Sequence, residues 1–378
     1  MRKADEGYML MKSGVNVVGR VTDGFFRYQA WPTVTKDGEG VLYAASSGHR
    51  LGHVCPFGKN YLYISHDEGE SWVGPIVIND TYMDDRDAGL CAWGDGNVLL
   101  SWFSLKKEVF DQREERTPLL TTPLAKAARE LWRSLPEGQY EPGAFVRVSH
   151  DGGKNWGEKV RVPVTSPHGP IRKADGRLLF FGKVYMAEDE MNYPDGQICA
   201  IESADDGKTW YRLGLVTNPE GITNEQLHEP YAIELPDGTI LGGIRVHGEG
   251  GHKGLTVYTT VSRDGGKTWT KPEPTGICGT PPHFLLHSSG AVIMTYGCRV
   301  TPFGERARIS WDGGVTWGEE IFIGEEAPDW DLGYPSSVEL SDGSILTVYY
   351  QKYPGDSYNS ILSTRWFMPS TNDGGREM

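Results

Sequence analysis

Apolar residues in this chain come in short runs, and the runs recur on one template: a polar start, a Pro or an aromatic, a Gly-containing turn, then an apolar strand. The template appears six times. The first three copies run from Trp31-Pro32 through Asp37-Gly38 to Val41–Tyr43, from Asp87-Ala88 through Asp95-Gly96 to Val98–Leu100, and from His168-Gly169-Pro170 through Asp175-Gly176 to Leu178–Phe180. The next three run from Glu229-Pro230 through Asp237-Gly238 to Ile240-Leu241, from Pro282-His283 through Ser289-Gly290 to Val292-Ile293, and from Tyr334-Pro335 through Asp342-Gly343 to Ile345-Leu346. Runs this short, rich in β-branched and aromatic residues and bounded by turn signals, predict strands rather than helices.

A second pattern, Ser-x-Asp-x-Gly-x-x-Trp, interleaves with the first and occurs five times, at Ser65–Trp72, Ser149–Trp156, Ser203–Trp210, Ser262–Trp269 and Ser310–Trp317. Gly accepts positive φ and Asp bonds its own backbone, so each copy predicts a tight hairpin turn, with the Trp folding back to pin it. From Asp37 to Asp67 is 30 positions, from Asp175 to Asp205 is 30, and from Asp237 to Asp264 is 27. That spacing suits four short strands per unit. Six such units predict an all-β fold, a six-bladed β-propeller with four-stranded antiparallel blades, in one domain spanning residues 1–378. A β-sandwich does not repeat a supersecondary unit six times.

Two places break the repeat. From Asp95 to Asp151 is 56 positions, which predicts an insertion in blade two, about residues 106–141. Within it, Thr121 or Thr122 can cap and Pro123 suits a first helical turn. Leu124, Ala127, Ala128, Leu131 and Trp132 form the expected apolar face of a short helix packed on the blade edge. The sixth unit lacks the Trp pattern and ends in Ser360–Trp366; the segment around Val15–Val21 is expected to supply its missing strand and close the ring.

A net charge of −14 argues against nucleic acid and anionic membranes as partners. No apolar run reaches the roughly 20 residues of a membrane span. Residues Met1–Tyr8 lack the apolar core of a signal peptide, and five scattered cysteines without CxxC pairing read as reduced thiols, so a cytoplasmic location is expected. No phosphate-binding loop or metal-ligand spacing occurs, so neither cofactor nor metal is expected. Oligomeric state stays open.

The ends of the inner strands converge at one mouth of a propeller. Here those positions are rich in charge and imidazole: His49 and Arg50, Arg86 and Asp87, His168, Glu229, Arg245 and His247, His283, Arg299, Asp331 and Tyr334. The five Trp patterns are similar to the Asp boxes of the sialidase superfamily, and the chain resembles a bacterial sialidase-like propeller over nearly its whole length. The resemblance implies a carbohydrate-binding site in the central mouth. Glu229–Arg245 resembles the segment carrying the second arginine of the carboxylate clamp, and Tyr296–Arg299 the segment carrying the third. Leu332–Ser337 resembles the nucleophile segment, which implies Tyr334 as nucleophile with Glu229 as its activator, an exception to the paired carboxylates of most glycosidases. The first clamp arginine is replaced by Ala30, with Arg27 three residues upstream.

The loop Ser47–Gly58 carries no acid/base carboxylate, leaving His49, His53, Asp87 and Asp331 as candidate proton donors and Arg50 as a candidate cation. His168, His283, Arg86 and Asp331 complete the expected binding set. The implied activity is an exo-acting, sialidase-like glycoside hydrolase acting on a terminal, acidic sugar such as sialic acid. A glycosidase for a uronate or a 6-deoxyhexose such as rhamnose, using a histidine acid/base, and a non-catalytic carbohydrate-binding propeller are the alternatives.

Overall fold

The computed structural model describes residues 2–3, 9–11, 15–106, 108–110, 121–136, 138–186, 193–248 and 255–369. The apolar runs form six antiparallel sheets arranged as propeller blades. Blade one consists of Tyr28–Lys36, Leu42–Arg50, Lys59–Ser65 and Val73–Asn79, each strand pairing with the one before. Blades two and four repeat this order from inner strands Asp85–Trp93 and Leu227–Glu234, and blade five from His283–Leu286. The inner strand of blade three is split into Val164–Thr165 and Ile171–Arg172, both paired with Leu178–Val184.

Blade six starts at Gly333–Glu339, and its outermost strand is Val15–Gly19, paired with Asn359–Trp366. The opening segment therefore closes the ring, as the incomplete sixth repeat requires. One pairing was not expected: Met9–Met11 lies parallel to Ile321–Ile323 and extends blade five.

The core lies between blades. Leu42, Ala44 and Val34 of blade one pack with Leu346 and Val348 of blade six, and Leu99 and Val146 of blade two pack with Phe180 and Ile201 of blade three. A blade alone leaves one apolar face uncovered, so the repeat is stable only as a closed set.

Each Asp box joins the third and fourth strands of its blade, at the end of the ring away from the inner-strand starts. In the box of blade three, Ser203 Oγ donates to Asp205 Oδ1 at 2.9 Å and accepts the Gly207 N–H at 2.8 Å, while Asp205 Oδ1 accepts the Thr209 N–H at 2.8 Å. Trp210 Nε1 donates to Gly207 O at 3.0 Å. Gly207 has φ of 87°, and a Cβ there would lie 3.0 Å from Leu99 of blade two. The box thus needs glycine for its turn and for the blade contact.

Blade six lacks a box, and Trp366 stands in for the missing tryptophan. It is 2% exposed, donates from Nε1 to Thr347 Oγ1 at 2.8 Å and packs with Ile293 and Ile345 across the blade five–six junction. Trp366→Ala is expected to cost about 3–5 kcal/mol, read as a lower urea midpoint.

The insertion contains the helix Pro123–Ser134, with Ala125 N–H donating to the capping Thr122 Oγ1 at 3.3 Å. Its buried face differs from the expected one. Ala125, Ala128 and Arg129 are buried, whereas Leu124, Ala127 and Leu131 are exposed. The insertion is anchored by Phe110, which packs with Leu105, Leu135 and Val54 of blade one.

Candidate functional site

The inner strands of blades one, two, four and six share a distortion where they reach the mouth. Register slips between Ala30 and Thr33, Arg86 and Gly89, His228 and Tyr231, and Gly333 and Ser336. Each slip holds one residue at left-handed φ: Trp31 at 54°, Asp87 at 52°, Glu229 at 47° and Tyr334 at 55°. Such φ is costly for any side chain with a Cβ and more so for bulky ones, and bulges of this kind re-aim a side chain. In blade three Gly169 occupies this position, with φ of 79°. Pro follows in four of these five blades (Pro32, Pro170, Pro230, Pro335), and its missing N–H leaves no unpaired donor where the ladder slips.

Two of these bulges bring Glu229 and Tyr334 together. The Tyr334 hydroxyl donates to Glu229 Oε1. Arg245 Nη1 donates to Glu229 Oε2 at 2.5 Å and to the Tyr334 oxygen at 3.3 Å. Arg299 is held by Leu332 O, at 3.0 and 3.2 Å, and its guanidinium carbon lies 5.9 Å from the centre of the Tyr334 ring. Burial alone would raise the Glu229 pKa, but the Arg245 charge and the hydrogen bonds from Tyr334 and Arg245 bring it down to about 2. Burial, reinforced by the Glu229 charge, pushes the Tyr334 phenol well above its usual value. The resting pair is therefore a neutral phenol on a carboxylate.

Asp87 faces the same cluster from blade two. Burial raises its pKa to about 7, with the charges of Glu229 and Asp84 adding to the rise and those of Arg86 and Arg50 opposing it. A carboxyl that holds its proton near neutrality is matched to general acid/base work. Its neighbour Arg86 lies over Trp31, 4.1 Å from a ring centre.

Arg50, expected to bind substrate, is 0% exposed. It pairs with Asp84 and donates to the backbone oxygens of His53 and Cys55. Its guanidinium also supports the Trp31 ring from 4.7 Å. Asp84→Asn, which leaves that buried cation without its counter-charge, is expected to destabilise the fold by about 3–5 kcal/mol in urea unfolding.

Asp331 gathers further groups. It accepts from Tyr28 at 3.0 and 3.1 Å and from Tyr350 at 3.2 Å, and His53 Nδ1 lies 2.9 Å away. Burial raises the Asp331 carboxyl, but these bonds and the Arg299 charge outweigh it and leave its pKa lowered. His53 is lowered by burial, partly offset by Asp331, and so is neutral at pH 7.

His49 does not join the cluster. Its ring stacks on Phe26 at 4.0 Å, and burial and Lys59 lower its pKa. His168 and His283, both in the expected binding set, are 0% and 4% exposed, against 4% for Tyr334 itself. They meet each other at 4.9 Å, and His283 stacks on Tyr231 at 4.6 Å, forming a layer across the channel beneath Tyr334. Trp31, Tyr28 and Tyr350 were not singled out from sequence. Trp31 was legible as the blade-one counterpart of Glu229 and Tyr334, since each immediately precedes the inner-strand proline.

Six blades, Asp boxes and a mouth lined by a tyrosine, a glutamate and arginines define a sialidase-like propeller. The chain belongs to the family described as BNR repeat-like domain, which matches residues 131–347. No curated protein matches the chain. Among solved structures, it is similar to an unknown function protein from Dyadobacter fermentans, at 22% identity over 95% of this chain and 99% of that one, with a TM-score of 0.73. It is similar to a Hadza microbial sialidase at 17% identity, covering 93% of this chain and 68% of that one, with a TM-score of 0.64. An alpha-L-arabinofuranosidase from Fusarium graminearum matches at 13% identity, covering 94% and 97%, with a TM-score of 0.59. At these identities the likeness is one of fold, and a fold hosts more than one function. Among the described residues, no helix is long and apolar enough to cross a membrane, and no group of three or more His, Cys, Asp or Glu is placed to hold a metal.

Proposed function

We propose that the chain, acting as a single propeller unit, is an exo-acting glycoside hydrolase that removes a terminal, acidic sugar from a glycan. The observation that carries this reading is the hydrogen-bonded set of Tyr334, Glu229 and Arg245 at the mouth. The Tyr334 oxygen attacks the anomeric carbon while its proton passes to Glu229, and Asp87 gives its proton to the departing glycosidic oxygen. In the second step Asp87 takes a proton from water, which attacks the same carbon; the Tyr334–sugar bond breaks and Glu229 returns the phenol proton. Arg245, Arg299 and Arg86 supply positive charge for an acidic substituent. The layer of His168, Tyr231 and His283 blocks the channel below, which favours a terminal unit over a threaded chain.

One observation favours a sugar other than sialic acid. Ala30 replaces the first clamp arginine, and Arg50 is locked on Asp84, so blade one contributes Trp31 in place of a free guanidinium. A uronate, which keeps one carboxylate, fits that reduced clamp.

The test is a panel of chromogenic sialosides, uronides, rhamnosides and arabinofuranosides, with released sugar identified by mass spectrometry. Turnover by the wild type that Tyr334→Phe abolishes supports the reading. Sugar binding with no turnover by either protein discards it in favour of a carbohydrate-binding propeller.

A further inference from the structure

The mouth is chemically lopsided. On the side of blade four stand Glu229, Arg245, His228 and His247, all polar. On the side of blades six and one stand aromatic rings, and some are open to solvent. Trp330, in the segment leading into blade six, is 51% exposed and directly precedes Asp331. Its ring lies 6.1 Å from His53; His53 lies 5.1 Å from Trp31, and Trp31 6.4 Å from Tyr334. This is a row of neighbouring rings from the rim to the Tyr334 ring. From the same blade-one loops, Phe26 stacks on His49 at 4.0 Å and meets Phe57 at 5.3 Å.

We propose that the shelf of Trp330 and His53 is a second sugar subsite, which takes the pyranose ring attached to the terminal unit. The proposal rests on the reading of the mouth as a glycosidase site and adds direction to it. A proton donor must face the glycosidic oxygen, so the leaving group must lie on the side of Asp87. Asp87 stands in blade two, and its neighbour Arg86 lies over Trp31, the middle of the aromatic row. The ring that carries the leaving oxygen is thereby directed onto the blade-one side. A pyranose presents a face of C–H groups, which suits the negative face of an indole, and an aromatic side chain with few torsions offers that area at little entropic cost. An exposed aromatic patch continuous with a polar pocket is also a common mark of a ligand groove.

The test uses a printed array on which each oligosaccharide is paired with its own terminal monosaccharide on the same linker. Tyr334→Phe is applied so that bound glycans stay intact, and is compared with the double variant carrying Trp330→Ala as well. The parent is expected to hold some oligosaccharides at least tenfold more tightly than the paired monosaccharides. The double variant is expected to lose that margin with monosaccharide binding unchanged, and Trp330→Phe is expected to restore part of it. The proposal is overturned if the parent shows no margin, if the margin survives Trp330→Ala, or if monosaccharide binding falls equally. Release of terminal sugars by the wild type on the same array is scored separately. If none is released while the Trp330-dependent margin is present, the hydrolase reading fails and the second subsite stands.

Discussion

Tyr334→Phe is expected to lower kcat/KM by about 10³-fold or more on any glycoside the wild type turns over. The change removes one oxygen and keeps the ring that packs against Trp31 and Tyr350 at 6.4 and 6.0 Å, so the fold and the pocket wall persist. What is lost is the only phenol that both donates to Glu229 and touches Arg245 among the described residues. With Glu229 near 2 and Tyr334 raised, the proton stays on the phenol in the resting state. It can move only as positive charge develops at the anomeric carbon and the Tyr334 oxygen begins to bond there. The pair therefore acts on the transition state rather than on bound substrate, and the variant should lose kcat with Kd nearly unchanged. A neutral nucleophile also spares an acidic sugar the repulsion that a carboxylate in its place would impose. The check is kcat and KM for both proteins, with binding measured independently by calorimetry. Activity within tenfold of wild type would remove Tyr334 from the mechanism.

The architecture was legible because its signals are local. An Asp-Gly turn or an Asp box writes its geometry within eight residues, and repetition made the ring countable. Closure by Val15–Gly19 followed from the incomplete sixth repeat. The pairing of Glu229, Arg245 and Tyr334 came from resemblance, and the geometry supplies its physical basis: two bulged strands of blades four and six that face each other. The rest escaped because it depends on tertiary direction. A register slip reverses which face a side chain occupies, so strand alternation could not tell that Arg50 turns inward to Asp84 while Asp87 faces the mouth. His49, near the end of strand Leu42–Arg50, and His53, just beyond it, are four residues apart, and only the fold assigns the first to Phe26 and the second to Asp331. In the insertion helix, the buried face carries Ala125, Ala128 and Arg129 in place of the more apolar leucines.

Asp87→Asn should separate activity from stability. As the proton donor, Asp87 must be protonated when the glycosidic bond breaks. Its pKa of about 7 means that the protonated fraction falls as pH rises through 7, so wild-type kcat/KM should decline above that pH. Glu229, near 2, adds no acid limb between pH 4 and 6. The amide variant cannot donate a proton and should lose about 10²–10⁴-fold in activity, along with the alkaline limb.

Stability should move the other way. The folded pKa of Asp87 lies above its ordinary value of 3.8, so the folded state binds more protons than the unfolded chain between those limits. By linkage, the stability Asp87 contributes is complete below pH 4 and is lost as pH rises through 7. Asparagine keeps the shape without the buried charge, so Asp87→Asn should unfold at higher urea than wild type at pH 8, with the difference vanishing near pH 4. Because the Glu229 charge raises the Asp87 pKa, Glu229→Gln should shift any residual alkaline limb to lower pH. An Asp87→Asn protein that keeps the wild-type limb would place the proton donor elsewhere in the mouth.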